Sequence, residues 1–192
     1  MTKTVREDLR VKKTLSSIDK SFRELVLERE YEQITVSEIC KRAVINKKTF
    51  YAHFHCLDDL LRHTLEDIAK GYIARIARFS LPEDLLNIHR EFFLYSIEQG
   101  EFYEKLVCSR AYQHIARTLL GKLVKTAWQD SPWFNSLDAE TQNMLLCFLH
   151  SAGADMYRQW IADGKGMPLE DAIAISGTLL CKGVDGIAKT RS

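Results

Sequence analysis

Residues 34–54 decide the fold: Ile34-Thr35-Val36-Ser37-Glu38-Ile39-Cys40-Lys41-Arg42-Ala43-Val44-Ile45-Asn46-Lys47-Lys48-Thr49-Phe50-Tyr51-Ala52-His53-Phe54. Thr35 followed three residues later by Glu38 is a capping box, in which each side chain satisfies an orphan backbone N–H of the other. It opens a short helix, Val36 to about Ala43. Asn46 is a good N-cap for a second, Lys47 to about Phe54. Two short helices joined by about three residues form a helix-turn-helix. Ile39, Ala43, Ile45, Phe50 and Phe54 supply the apolar back of this pair, with Ala43 small enough for a close helix crossing. The opposite face of the second helix carries Lys47, Lys48, Thr49, Tyr51 and His53, which are cations, hydroxyls and an aromatic ring of the kind a nucleic-acid groove engages.

Outward from this unit the pattern stays helical. Leu15, Ile18, Phe22 and Leu25 recur at intervals of three and four and predict a first helix from about residue 8 to 28. From Leu57, a stripe through Leu60, Leu61, Thr64, Leu65, Ile68, Ala69, Tyr72, Ile73 and Ile76 predicts a helix of about twenty residues, with Asp58 and Asp59 at its positive end. Further helices are expected from Pro82 to about Gln99, with Gly100 as the stop, over a short segment around Phe102–Val107, and on to about Trp128. The loop Asp130–Asn135 interrupts the pattern. Two last helices, about Asp138–Ala162 and Leu169–Lys189, are separated by Asp163-Gly164-Lys165-Gly166-Met167-Pro168. The expectation is an all-α fold of nine helices, with a head at 1–56 and a body at 57–192.

The composition narrows the class. The 192 residues are 46% hydrophobic and 28% charged, which is globular. Five widely spaced cysteines form no CxxC pair, so neither a redox motif nor a zinc ribbon is indicated, and reduced thiols in the cytoplasm are expected. The charged N-terminus lacks the apolar core of a signal peptide, and no apolar run reaches membrane-spanning length. The net charge of +1 hides an asymmetry. Residues 1–63 hold 13 Lys/Arg against 10 Asp/Glu, net +3, and residues 64–192 hold 14 against 16, net −2. A basic front on an acidic rear suits a protein that meets a polyanion with one end.

The motif residues Thr35-Val36, Ile39, Ala43 and Thr49-Phe50-Tyr51-Ala52-His53-Phe54, followed by Asp58-Asp59-Leu60-Leu61 opening a long helix, make the chain resemble the TetR (tetracycline-repressor) family over its first third. The resemblance implies a three-helix DNA-binding head, a long fourth helix, and a helical body that binds a small ligand and dimerises through its last two helices. It implies DNA contacts from Thr35, Ser37, Asn46, Lys47, Lys48, Thr49, Tyr51, His53 and His55. The chain departs from the family pattern at two positions. Val44 stands where the turn usually has glycine. Leu57 stands where a phosphate-binding lysine is common.

Within the body, the same resemblance marks Tyr72, His89, Phe92, Tyr95, Tyr103, Tyr112 and His114 as candidates for lining a ligand pocket among the many aromatics. In the last two helices, Leu145, Phe148, Leu149, Ala152 and Met156, then Ile173, Leu180, Gly183, Val184 and Ile187, form stripes suited to a dimer interface or to an internal core. Enzyme signatures are missing: no P-loop, GxGxxG or HExxH occurs, and His53, His55, Cys56 and His63 have no forced convergence as zinc ligands. The reading is a cytoplasmic, homodimeric repressor without cofactor that binds a palindromic duplex under the control of a small-molecule effector. The alternatives are a protein of the same fold governed by a protein partner or acting architecturally, and an all-α enzyme.

Overall fold

A computed structural model describes the backbone of residues 3–128 and 131–190, and the side chains of 9–116, 119, 125, 128 and 131–183. The described residues form ten α-helices and one 3-10 turn, with no strand. The head comprises α1 (Lys3–Glu28), α2 (Val36–Arg42) and α3 (Lys47–Tyr51), with the 3-10 turn at Tyr31–Gln33. Both sequence-level caps form. Thr35 accepts from the Glu38 N–H while Glu38 accepts from the Thr35 N–H, and Asn46 accepts from the Thr49 N–H. Ile18, Phe22 and Leu25 of α1 close over Ile39, Ala43, Phe50 and Phe54, all buried. The Ser17 hydroxyl donates to the Ala43 carbonyl at 3.1 Å, satisfying an acceptor at the end of α2.

The body comprises α4 (Leu57–Ile76), α5 (Leu85–Glu98), α6 (Gly100–Cys108), α7 (Arg110–Ala127), α8 (Pro132–Ser136), α9 (Ala139–Ala162) and α10 (Leu169–Thr190). Of the stripe on α4, Leu60, Leu61, Thr64, Leu65, Ile68, Ala69 and Ile76 are buried, while Leu57, Tyr72 and Ile73 are half-buried. Two apolar clusters result. One runs without a break from the head into α6, α7 and α9, and the other gathers Ile76, Leu85, Trp128, Phe134, Leu145 and Leu180 at the far end. Head and body are stitched by Phe22 edge-on to Phe102 at 6.1 Å, by Arg23 over the Phe102 ring at 4.5 Å, and by Lys105 donating to the Leu27 carbonyl at 2.5 Å.

Several boundaries differ from expectation: α1 begins at Lys3 rather than at about residue 8, and α3 ends at Tyr51 rather than at about Phe54. The segment read as a loop contains α8, because Ser131 caps it by accepting from the Phe134 N–H and Pro132 fits the first turn. The helix expected from Pro82 begins at Leu85, because the Asp84 carboxylate accepts from the Ser80 N–H and holds Ser80–Asp84 as a turn. Gly100 ends α5 as expected, with φ +72, and that left-handed residue also starts α6 at once.

Val44, in the turn between α2 and α3, has φ +55 and is 89% exposed. A β-branched residue gains no packing there and carries a left-handed backbone that costs about 1–2 kcal/mol. Val44→Gly should therefore stabilise the protein by about 1 kcal/mol after the entropy glycine adds to the unfolded chain. Urea denaturation checks this, and a destabilised variant would contradict it.

Candidate nucleic-acid interface and internal cavity

The outer face of the head is built from two caps and one wedge. Phe50 is fully buried, with Phe54 tilted beside it at 5.6 Å, so α3 has its back to the core. Lys47 and Lys48 therefore face solvent, and Tyr51 is 52% exposed with its ring edge-on to Phe50. Ser37 and His55 are exposed and His53 is half-buried. Thr35, Asn46 and Thr49 are partly committed. The Thr35 hydroxyl donates to Glu38 at 2.8 Å and the Thr49 hydroxyl donates to Asn46 at 3.0 Å, leaving lone pairs but no proton for a phosphate. Leu57 is half-buried against the head core rather than reaching outward.

Ion pairing sharpens this face. Arg42 forms a bidentate pair with Glu28 at 2.6 and 2.8 Å, Arg29 pairs with Glu38, and Arg23 with Asp19. The Arg42 guanidinium holds the Glu28 carboxyl below its ordinary range. These arginines are thus internally neutralised, whereas none of the described residues pairs with Lys47 or Lys48. The face beside Asn46 concentrates unneutralised positive charge next to a half-exposed tyrosine.

A cavity of about 100 Å³ lies among α4, α5, α6, α7, α9 and α10. Tyr72, His89, Phe92, Tyr95, Tyr103 and Tyr112 all line it. His114 does not: two residues beyond Tyr112 on α7, it faces roughly the opposite side and is exposed. Much of the rest of the wall is aliphatic, including Leu65, Ile68, Leu146, Leu149 and Leu180, and His150 also reaches it. Sequence reasoning missed Leu65, Ile68 and Leu146 because apolar residues at helical spacing read as ordinary core, and it placed Leu149 and Leu180 in the interface stripes instead. The Tyr72 hydroxyl donates to the Ile88 carbonyl at 3.2 Å and the Tyr95 hydroxyl to the Ile68 carbonyl at 3.0 Å. The Tyr103 and Tyr112 hydroxyls lie 3.0 Å apart. Gly71 makes room for Tyr95, since a Cβ there would stand 2.2 Å from its hydroxyl. The described lining residues include no Asp, Glu, Lys or Arg. Burial pushes the phenol pKa values of Tyr72, Tyr103 and Tyr112 up and that of His89 down to about 4.

The stripes read as a dimer interface divide. Leu145, Ile173 and Leu180 are buried inside the protomer, so these three are not available to meet a second copy. Leu149, Ala152 and Met156 are half-buried, while Phe148 and Gly183 are exposed. Val184 and Ile187 lie outside the residues whose side chains are described. The outward apolar face is instead Met144 and Phe148 on α9, Ile175 and Leu179 on α10, and Leu86 on α5. One residue along a helix turns the side chain by about 100°, so the stripe that packs inward and the one that faces outward are close neighbours in sequence. Among the described residues no helix is long and apolar enough to cross a membrane.

Residues 22–64 match the family described as bacterial regulatory proteins, tetR family. Over 103 residues the chain is 31% identical to the HTH-type dhaKLM operon transcriptional activator DhaS of Lactococcus lactis subsp. lactis (strain IL1403), a match covering 53% of each chain. That match thus spans about half of the relative's length. A TetR transcriptional regulator from Streptococcus agalactiae 2603V shares the fold, with a TM-score of 0.64 and 22% identity, over 92% of this chain and 98% of that one. So does the fatty acid degradation regulator FadR from Bacillus halodurans, with a TM-score of 0.60 and 16% identity, over 88% and 95%. Each is named as a regulator, and none as an enzyme.

Burying His89 links stability to acid. The unfolded histidine titrates near 6.5, whereas the folded one resists protonation until about 4. Between those values the unfolded chain binds the extra proton, so stability is full above pH 6.5 and falls as pH drops. From pH 7 to 5 this group should cost on the order of 2 kcal/mol. Denaturant titrations of the protein and of His89→Gln should differ in pH dependence by about that amount, and identical profiles would contradict the burial of a neutral imidazole.

Proposed function

We infer, from a chain whose residues 22–64 match the tetR family of bacterial regulatory proteins and whose fold is shared with solved regulators, that this protein is a DNA-binding regulator of transcription, not an enzyme, whose hold on its operator responds to a small molecule in the body cavity. Residues 1–56 act as the DNA-binding head and 57–192 as the ligand-binding and dimerising body. The observation that carries the reading is the face beside Asn46, where Lys47 and Lys48 stand unneutralised beside Tyr51 while Arg23, Arg29 and Arg42 are spent on ion pairs. In the major groove the lysines meet phosphate or guanine, Tyr51 braces the sugar-phosphate backbone, and Ser37 reaches from the preceding helix.

The exposed face of Met144, Phe148, Ile175 and Leu179 pairs with its twofold copy in a four-helix arrangement. Two heads related by that axis read a palindrome in the cytoplasm. The effector acts by population shift. Tyr103 lines the cavity while its neighbour Phe102 presses on Phe22 of α1, and Lys105, two residues on, holds the end of α1. A ligand that displaces Tyr103 therefore moves α6 against the head. It changes operator affinity only by its preference between the two arrangements, typically about 1–3 kcal/mol.

We take the unliganded dimer to be a repressor. A second reading, activation, is favoured by DhaS, named a transcriptional activator. The position of the bound site relative to the promoter separates the two, since a site overlapping the start of transcription represses and one upstream activates.

Three substitutions test the assignment. Tyr51→Ala should weaken binding to specific and random duplexes alike, whereas Lys48→Ala should also flatten the salt dependence by about one ion and relax base preference. Filter binding at several salt concentrations reads both, and a Tyr51→Ala protein with undiminished affinity would remove that role. Leu179 is 58% exposed, so Leu179→Glu should leave the fold intact and shift the dimer to monomer in sedimentation equilibrium. A Leu179→Glu dimer as tight as the parent would place the interface elsewhere.

A further inference from the structure

The hydrogen bonds around His89 determine which of its nitrogens is bare. Its Nε2 lies 2.7 Å from the Ser176 hydroxyl oxygen, and that oxygen lies 2.6 Å from the carbonyl oxygen of Ala172, one turn earlier on α10. Two oxygens so close share a proton, and a carbonyl has none to give. The single Ser176 hydrogen is therefore spent on Ala172, and Nε2 must carry the proton that joins it to Ser176. His89 is 3% exposed, and its burial favours the neutral ring, which has one N–H. Nδ1 is then an acceptor, and no described group of the protein donates to it. Across from it stands Gly153 of α9, where a Cβ would lie 3.9 Å from Nδ1 and from the Phe92 ring. The missing side chain keeps the space in front of this nitrogen open.

The surroundings limit what can use that acceptor. The walls are largely aliphatic and aromatic, and the described lining residues include no Asp, Glu, Lys or Arg. An acid or amine would find no Asp, Glu, Lys or Arg among the described wall residues to pair with, and stripping water from its charge among apolar side chains is unfavourable. A polyol would set several hydroxyls against leucine and isoleucine. The space is also small: a cavity of ~150 Å³ holds benzene, so about 100 Å³ suits roughly four to six heavy atoms.

We propose that the cavity takes a compact, uncharged molecule with an apolar body and a single hydroxyl or amide N–H that donates to Nδ1 of His89. A short alcohol or amide fits this description. The proposal deepens the effector reading given above, and its regulatory meaning rests on that reading.

The test uses the full chain and three probes of similar size: 1-butanol, its isomer diethyl ether, which has no donor, and butyrate, which is charged. Binding is followed by NMR of the cavity methyl groups and of the His89 ring nitrogens. The free protein should show the proton on Nε2. The alcohol should bind about three- to tenfold more tightly than the ether, the worth of one hydrogen bond, and should move the Nδ1 resonance. Butyrate should bind at least about a hundredfold more weakly than the alcohol.

Gly153→Ala provides the control. Its methyl group meets Nδ1 and Phe92 only at ordinary contact distance, and alanine favours the helix, so the variant should fold at least as well. It covers the nitrogen and should erase the preference for alcohol over ether. A proton on Nδ1, equal affinity for alcohol and ether, tighter binding of butyrate, or saturable binding of none of the three would overturn the proposal. Alcohol preference without any change in operator affinity would uphold the proposal and overturn the effector reading instead.

Discussion

The burial of Phe50 is the contact on which the rest depends. Helix α3 has five residues, far too few to be stable alone, since an isolated helix under about a dozen residues is marginal in water. It is held by the Asn46 cap at one end and by a fully buried Phe50 packed with Phe54 in the core of Ile18, Phe22 and Ile39. Because Phe50 points inward, Lys47, Lys48 and Tyr51 have only the outer face left to occupy. The direction of these exposed side chains is thus set by a hydrophobic contact on the opposite side of the helix.

The same core continues into the body. The cluster that contains Phe50 and Phe22 also contains Phe102, Tyr103, Tyr112 and Tyr157. The wall of the cavity and the back of α3 therefore belong to one packed unit, and close-packed interiors rearrange between discrete states more readily than they deform smoothly. Phe102 and Tyr103 are adjacent on α6, one pressed on α1 and the other facing the cavity. Ion pairs outside the core, Arg90 with Glu170 between α5 and α10 and Arg75 with Glu91 between α4 and α5, bind the helices around the cavity to one another.

The head was legible in the sequence because its signals are local. Thr35 with Glu38, and Asn46 before Lys47, cap helices within three residues, and the wedge residues lie within eight residues of the cap. The cavity was half legible. Tyrosines and a histidine on apolar faces stand out, but Leu65 and Ile68 look like any core residue, Leu149 reads as part of the interface stripe of α9, and His114 lies about 200° around α7 from Tyr112. The His89–Ser176 contact joins residues 87 apart and leaves no trace in spacing. At the last two helices, periodicity identified an apolar face without telling what would cover it. Leu145 and Leu180 went to the protomer's own core, while Met144 and Leu179, one residue away in each case, face outward. Helix α8 was missed because five residues are too few to show a period.

Selection of duplexes from a random pool by the 192-residue chain, followed by sequencing of those retained, tests most directly whether the face beside Asn46 reads DNA as a twofold pair. The account expects enrichment of two inverted half-sites, their centres one helical turn of about 10 base pairs, or a multiple of it, apart. Enrichment of a site without twofold symmetry, or no enrichment over the starting pool, would contradict it.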